Sequence, residues 1–180
     1  MQTWIALLRG INVGGKNKLA MADLRRELEA LGFERVRTYI QSGNVVLESP
    51  VRSMSAIAKK IADRVDLRCG FRPYVHVLSR EAIHEAIDAN PWRDGSQDPD
   101  TVYLYFLAGP PVDAKLRALE VAKSPTEQYV LTDRVFYLHA PEGVGRSKLA
   151  ANVEKFLGVT ATARNMQTVE AIRGLVDASE

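Results

Sequence analysis

The sequence repeats itself, and that repetition narrows the folds open to it more than any other property. Tyr39, Ser42 and Val45 recur ninety positions later as Tyr129, Thr132 and Val135. Glu81-Ala82-Ile83, followed by Ile87-Asp88, recurs as Glu170-Ala171-Ile172 and Val176-Asp177, and Leu24-Arg25 recurs as Leu116-Arg117. Each identity is weak alone. In the same order and on matching elements, they predict an internal duplication.

Periodicity supplies the elements. Trp4–Leu8 is an apolar run ending at Gly10, the pattern of a buried strand. Met21, Leu24, Leu28 and Leu31 recur at helical spacing, and Gly32 stops that helix. Residues 36–41 and 44–48 are β-rich runs around Ser42-Gly43, a hairpin pattern. Ile57, Ile61 and Val65 mark a helix and Tyr74–Leu78 a strand, after which Ser79 is placed to cap a helix carrying Ala82, Ile83, Ala86 and Ile87. The order then restarts. Val102–Leu107 reads as a strand ending at Gly109, and Pro110-Pro111 opens a helix. Residues 127–131 and 135–139 form a hairpin, Leu149, Val153 and Phe156 a helix, Val159–Ala163 a strand, and Thr168 caps the last helix.

A β-α-β-β-α-β order closes naturally as a split β-α-β, or ferredoxin-like, sheet. The expected class is therefore α+β: two mainly antiparallel sheets, each copy followed by a helix. The first repeat spans 1–90, a polar linker without periodicity spans 91–100, and the second repeat spans 101–180, packed as one compact unit. Each sheet is expected to have an open face for which the other copy is the nearest cover.

Composition limits the function classes. An apolar content of 46% is ample for a core without staples. The single cysteine, Cys69, excludes an internal disulfide and predicts a reducing, cytoplasmic setting. The N-terminal apolar stretch is short and interrupted by Arg9, and no run approaches a membrane span, so neither a leader nor a membrane partner is expected. One thiol and the scattered His76, His84 and His139 offer no metal-ligand spacing or evident carboxylate partner, and no cofactor is expected. Net charge is only +2, with a mild basic bias over residues 1–40, where seven basic side chains face four acidic ones.

Four stretches could hold chemistry. Gly10-Ile11-Asn12-Val13-Gly14-Gly15-Lys16-Asn17 follows a strand, precedes a helix and spells G-x-x-x-x-G-K. Asn17 stands where a phosphate-binding loop needs a metal-holding hydroxyl, so NTPase chemistry is disfavoured; the Gly14-Gly15 amides and Lys16 remain suited to an anion. Gly143-Val144-Gly145-Arg146-Ser147-Lys148 again joins glycines and cations at a helix start, and Ser147 with Lys148 is no nucleophile pair because adjacent helical residues diverge. The third stretch is the hairpin Gln41-Ser42-Gly43-Asn44, and the fourth is Arg164-Asn165 after the last strand. Tyr103 and Tyr105 share a strand face near Phe136, but the RNP1 pattern is absent and core packing is the better reading. The glycine-rich loops look one-sided: Gly109-Pro110-Pro111 is the short counterpart of the first, and Ser49-Pro50-Val51-Arg52-Ser53 has no glycine to match the second.

Those residues also carry a resemblance. Ala6-Leu7-Leu8-Arg9-Gly10-Ile11-Asn12-Val13-Gly14-Gly15-Lys16-Asn17, Thr38-Tyr39-Ile40-Gln41-Ser42-Gly43-Asn44-Val45, Asn90-Pro91-Trp92, Gly145-Arg146-Ser147-Lys148-Leu149, and Thr162-Ala163-Arg164-Asn165 with Thr168-Val169 resemble the blocks of the bacterial family of domain of unknown function 1697. Trp92 and Met166 are its modest departures, where the family often has Phe and an aromatic. The resemblance implies a duplicated α+β fold and assigns no activity. The reading favoured by the residues is binding of a phosphate-bearing small molecule or nucleic acid at the junction of the repeats, through Arg9, Asn12, Gly14, Gly15, Lys16, Gln41, Ser42, Asn44, Arg146, Ser147, Lys148, Arg164 and Asn165. The alternatives are an enzyme using the same cleft, for which no base or nucleophile is nominated, and a protein-interaction module using open sheet faces.

Overall fold

The computed structural model describes residues 1–178. Strand β1 (Gln2–Arg9) leads to α1 (Met21–Ala30), β2 (Glu34–Tyr39), β3 (Asn44–Ser49), α2 (Met54–Cys69), β4 (Tyr74–Ser79) and α3 (Arg80–Asp88). The order then recurs as β5 (Val102–Leu107), α4 (Leu116–Ala122), β6 (Gln128–Leu131), β7 (Val135–His139), α5 (Lys148–Leu157), β8 (Ala161–Asn165) and α6 (Met166–Asp177). The two four-stranded sheets have the strand orders β2-β3-β1-β4 and β6-β7-β5-β8, with every pairing antiparallel. Both are the split β-α-β arrangement, so the expected class and the likeness of the two units are seen in the topology itself.

The first compact unit comprises Met1–His84 together with the chain from Glu170 onward, and the second comprises Glu85–Val169. In the first, Trp4, Ala6 and Leu8 of β1 pack with Leu24 and Leu28 of α1 and with Ile57, Ile61 and Val65 of α2. Ile5 and Leu7, on the opposite face of β1, are equally inaccessible. A strand buried on both sides cannot alternate apolar with polar, which is why Trp4–Leu8 reads as an unbroken apolar run. In the second unit, Tyr105 and Leu107 of β5 pack with Leu119, Phe136, Leu149, Val153 and Leu157. Leu104 and Phe106 are buried on the other face. Each fully buried side chain of this size contributes roughly 1.5–3 kcal/mol, so these layers dominate the stability of both units.

The helices that follow β3 and β7 are capped alike. Ser53 accepts from the Ala56 amide at 3.2 Å and Ser147 from the Ala150 amide at 2.9 Å. Gly70 and Gly158 close these helices in the left-handed conformation.

Four local expectations are corrected. Pro110-Pro111 lies in a loop and α4 opens only at Leu116, because the chain first ties itself to the end of α5 through Val112 N–H to Leu157 C=O at 3.0 Å. The connection between β5 and α4, residues 108–115, is thus nearly as long as residues 10–20 between β1 and α1, and that one-sidedness largely disappears. Arg164-Asn165 belongs to β8 rather than following it, pairing across the ladder with Leu104 and Tyr103. The cap of α6 is Asn165, whose Oδ1 accepts from the Thr168 amide at 3.1 Å; Thr168 is inside the first turn.

Candidate functional site

The Gly10–Lys18 loop is built by its own asparagines. The Asn12 amide donates to Leu19 C=O at 2.8 Å and to Gln41 C=O at 2.7 Å, while its Oδ1 accepts from Leu19 N–H at 2.8 Å. Asn17 donates to Gly10 C=O at 2.8 Å. Both asparagines adopt positive φ, a conformation their short polar side chains tolerate. Between them Val13 and Lys16 pair across Gly14-Gly15, whose φ values of 58° and 75° suit a two-residue type I′ hairpin. The Lys16 amide is committed to Val13 C=O at 3.1 Å, and α1 begins only at Met21. The G-x-x-x-x-G-K spacing therefore makes an exposed hairpin tip and does not wrap a helix start as a phosphate-binding loop does.

The same clamp draws the third stretch to the first. Gly43 C=O accepts from Leu8 N–H at 2.8 Å. A Cβ on Gly43 would lie 2.6 Å from Ile11 Cδ1 and 2.8 Å from Leu8 Cβ. Asn44 is buried, its amide donating to Tyr39 C=O at 3.1 Å and to Ser42 Oγ at 2.9 Å. The end of β1, with Arg9 exposed on it, the glycine loop and the Gln41–Asn44 hairpin thus form one cluster in the first unit. Ile40 beside it is half exposed with φ 47°, a rare conformation for a β-branched residue.

In the second unit a cleft of about 640 Å³ is lined by the end of α4, the turn into β6 and the Gly143–Lys148 segment that leads into α5. This lead-in is eight residues, 140–147, against the four of 50–53 before α2, so here the asymmetry between the units stands. Gly143 takes φ 78° and its amide donates to Ala140 C=O at 2.9 Å. The Val144 backbone bonds to the Tyr103 phenol, whose titration burial pushes upward, with Asp100 adding to the shift. Arg146 and Lys148 are exposed at the rim, and neither side chain has an ion-pair or hydrogen-bond partner among the described residues. Lys123, also lining, is held 3.2 Å from Glu120 and lies over the Tyr129 ring.

Lys123, Ser124, Thr126, Glu127 and Glu142 are lining residues the sequence reading did not nominate. A signal for two of them was present. Ser124-Pro125-Thr126-Glu127 spells S-x-x-E, and Glu127 Oε2 accepts from the Ser124 amide at 2.9 Å, half of a capping box.

The remaining residues have partners within the fold. Arg164 is half-buried, and burial pulls its guanidinium down to about 10, so it stays charged near neutrality. It donates to Ala163 C=O at 2.7 Å, and Asn165 donates to Asp100 at 2.8 Å. Phe136 meets Tyr105 edge-on at 5.8 Å and stacks on Tyr129 at 5.2 Å, which is core packing. Burial lowers His76 to about 4 and also lowers His139, which contacts Trp92. His84 does have a carboxylate partner, Asp177 at 3.1 Å, a pairing that joins α3 to α6 across 93 residues and so was invisible to local spacing. Among the described residues no group of three or more His, Cys, Asp or Glu could hold a metal, and no helix is long and apolar enough to cross a membrane.

Against known proteins, a family model described as protein of unknown function (DUF1697) matches residues 1–137. The structure of the conserved bacterial protein SP0830 from Streptococcus pneumoniae is similar over 97% of this chain and 98% of its own, with 28% sequence identity and a TM-score of 0.74. No curated protein matches.

Proposed function

This chain belongs to the DUF1697 family, and from the geometry of its second unit we propose that it binds a phosphate-bearing ligand, a nucleotide or the backbone of a nucleic acid. The observation that carries the reading is the pair of cations without a side-chain partner among the described residues, Arg146 and Lys148, on the rim of the cleft at the start of α5. An arginine presents a planar fork of donors to phosphoryl oxygens, and a helix start favours negative charge beside it. Lys16, exposed beside Gly14-Gly15, belongs to the first unit and is not among the residues lining this cleft. The exposed thiol Cys69 fits a reducing, cytoplasmic setting. The shared strand order and the ninety-residue recurrence support descent of both units from one duplicated segment.

The test is calorimetry and thermal unfolding with inorganic phosphate, ATP and a short single-stranded RNA. A probe at about one hundred times its dissociation constant adds roughly 2.7 kcal/mol, a rise in Tm on the order of 5–10 °C for a chain of this size. The double substitution Arg146→Ala, Lys148→Ala should weaken binding at least about tenfold. Unchanged melting with all three probes, or wild-type affinity in the double variant, overturns the proposal.

A further inference from the structure

The cations draw an anion to the cleft, but its carboxylates say what accompanies that anion. Glu127 is only 6% exposed, yet no basic side chain pairs with it among the described residues. One oxygen takes the Ser124 amide, and the other is not sealed in the interior. Glu142 stands on the same lining and accepts from the Thr126 hydroxyl at 3.2 Å. Carboxylates facing a cleft accept hydrogen bonds and cannot donate them, so the ligand atoms that meet them must be donors. Among the described residues no lining residue is aromatic, and Val121 and Ala122 are the only apolar side chains there, so a nucleobase finds no ring on which to stack.

We infer that the cleft recognises a phosphorylated sugar, its phosphoryl group at Arg146 and Lys148 and its hydroxyls at Glu127 and Glu142, with any attached base left outside. This rests on the anion-binding reading above and narrows it. The sugar phosphate has two sources, a free metabolite or the ribose phosphate of a nucleotide.

Titration with inorganic phosphate, ribose 5-phosphate, and AMP, GMP, CMP and UMP separates these possibilities. Ribose 5-phosphate should bind about tenfold tighter than inorganic phosphate, since a site built to accept from hydroxyls discriminates against a probe lacking them. The four nucleotides should agree with one another within about threefold, because no base contact distinguishes them; matching ribose 5-phosphate they indicate a nucleotide source, and binding much more weakly they indicate the free sugar phosphate. Glu142→Ala should erase the advantage of ribose 5-phosphate while sparing inorganic phosphate, and Arg146→Ala should weaken both. Glu127→Ala should behave as Glu142→Ala does; Glu142, being exposed, keeps the test valid if the Glu127 variant fails to fold. Affinity that follows base identity, or ribose 5-phosphate no tighter than phosphate, overturns this inference and leaves anion binding standing. Failure of every probe, phosphate included, removes both.

Discussion

Asn12 is the residue whose replacement tests the most reasoning at once. Its side chain makes three hydrogen bonds, two donated and one accepted, that lock the loop after β1 to Leu19 and to the hairpin at Gln41. At about 1 kcal/mol net each, discounted for partial exposure, they are worth roughly 2 kcal/mol. Asn12 also holds φ 54°, where alanine costs about 1 kcal/mol more. Asn12→Ala should therefore destabilise the first unit by about 3 kcal/mol, and Asn12→Gly, which accepts the backbone angle freely, by about 2. Asn12→Asp is the decisive variant. It keeps the acceptor for Leu19 N–H but turns an oxygen toward two carbonyl oxygens, so it should be at least as damaging as alanine. The assay is urea unfolding followed by the fluorescence of Trp4, which is buried in the first core, in a Trp92→Phe background that removes the other indole. Phosphate affinity should be unchanged, because the cleft belongs to the second unit. An aspartate variant within about 0.5 kcal/mol of the parent would show that the two donated bonds carry no stability.

Gly43→Ala combines a φ of 75° with contacts too short to Ile11 and Leu8 and should cost about 3 kcal/mol; Gly15→Ala, equally left-handed but facing open space, should cost about 1. Equal losses in urea titrations of the two would remove the packing argument. Tyr137→Phe removes a buried hydroxyl donating to Ala86 C=O at 2.8 Å, so unfolding of the second unit should become about 1.5 kcal/mol easier. Acid should weaken the fold through His76. Burial holds it near 4 against 6.5 in the unfolded chain, so the unfolded state takes up the proton first; stability present above pH 6.5 falls progressively toward pH 4, by at most about 3 kcal/mol. His139 adds a loss in the same direction. A pH series of unfolding midpoints checks this, and a His76→Gln variant with the parent's slope over that window would refute it.

Much of the architecture was legible because it depends on local patterns. Helical spacing at Met21, Leu24 and Leu28, the Ser79 cap and the Gly32 stop act over a few residues, and each appears where its chemistry requires. Strand termini were less legible. Arg164-Asn165 is polar, and only its pairing with the central strand β5 makes it β-structure. The opening of α4 was misplaced for a similar reason: Pro110-Pro111 suits a helix start, but a long-range bond from Val112 to α5 holds that segment in a loop.

For the candidate site the division is sharper. The sequence by itself determined that two similar α+β units exist, that glycines and cations cluster at two loops, and that a helix starts beside the second of them, because propensity and periodicity are properties of neighbouring residues. It could not separate the two glycine loops, since glycine and lysine look alike in a hairpin tip and beside a cleft. The tertiary structure decided that Gly14-Gly15 turns a small hairpin held by Asn12, whereas Gly143–Lys148 borders a cavity. It also brought Glu127 and Glu142 to that cavity from positions fifteen residues apart. Burial and solvent access are set by what packs around a residue, and that is decided by contacts between distant parts of the chain.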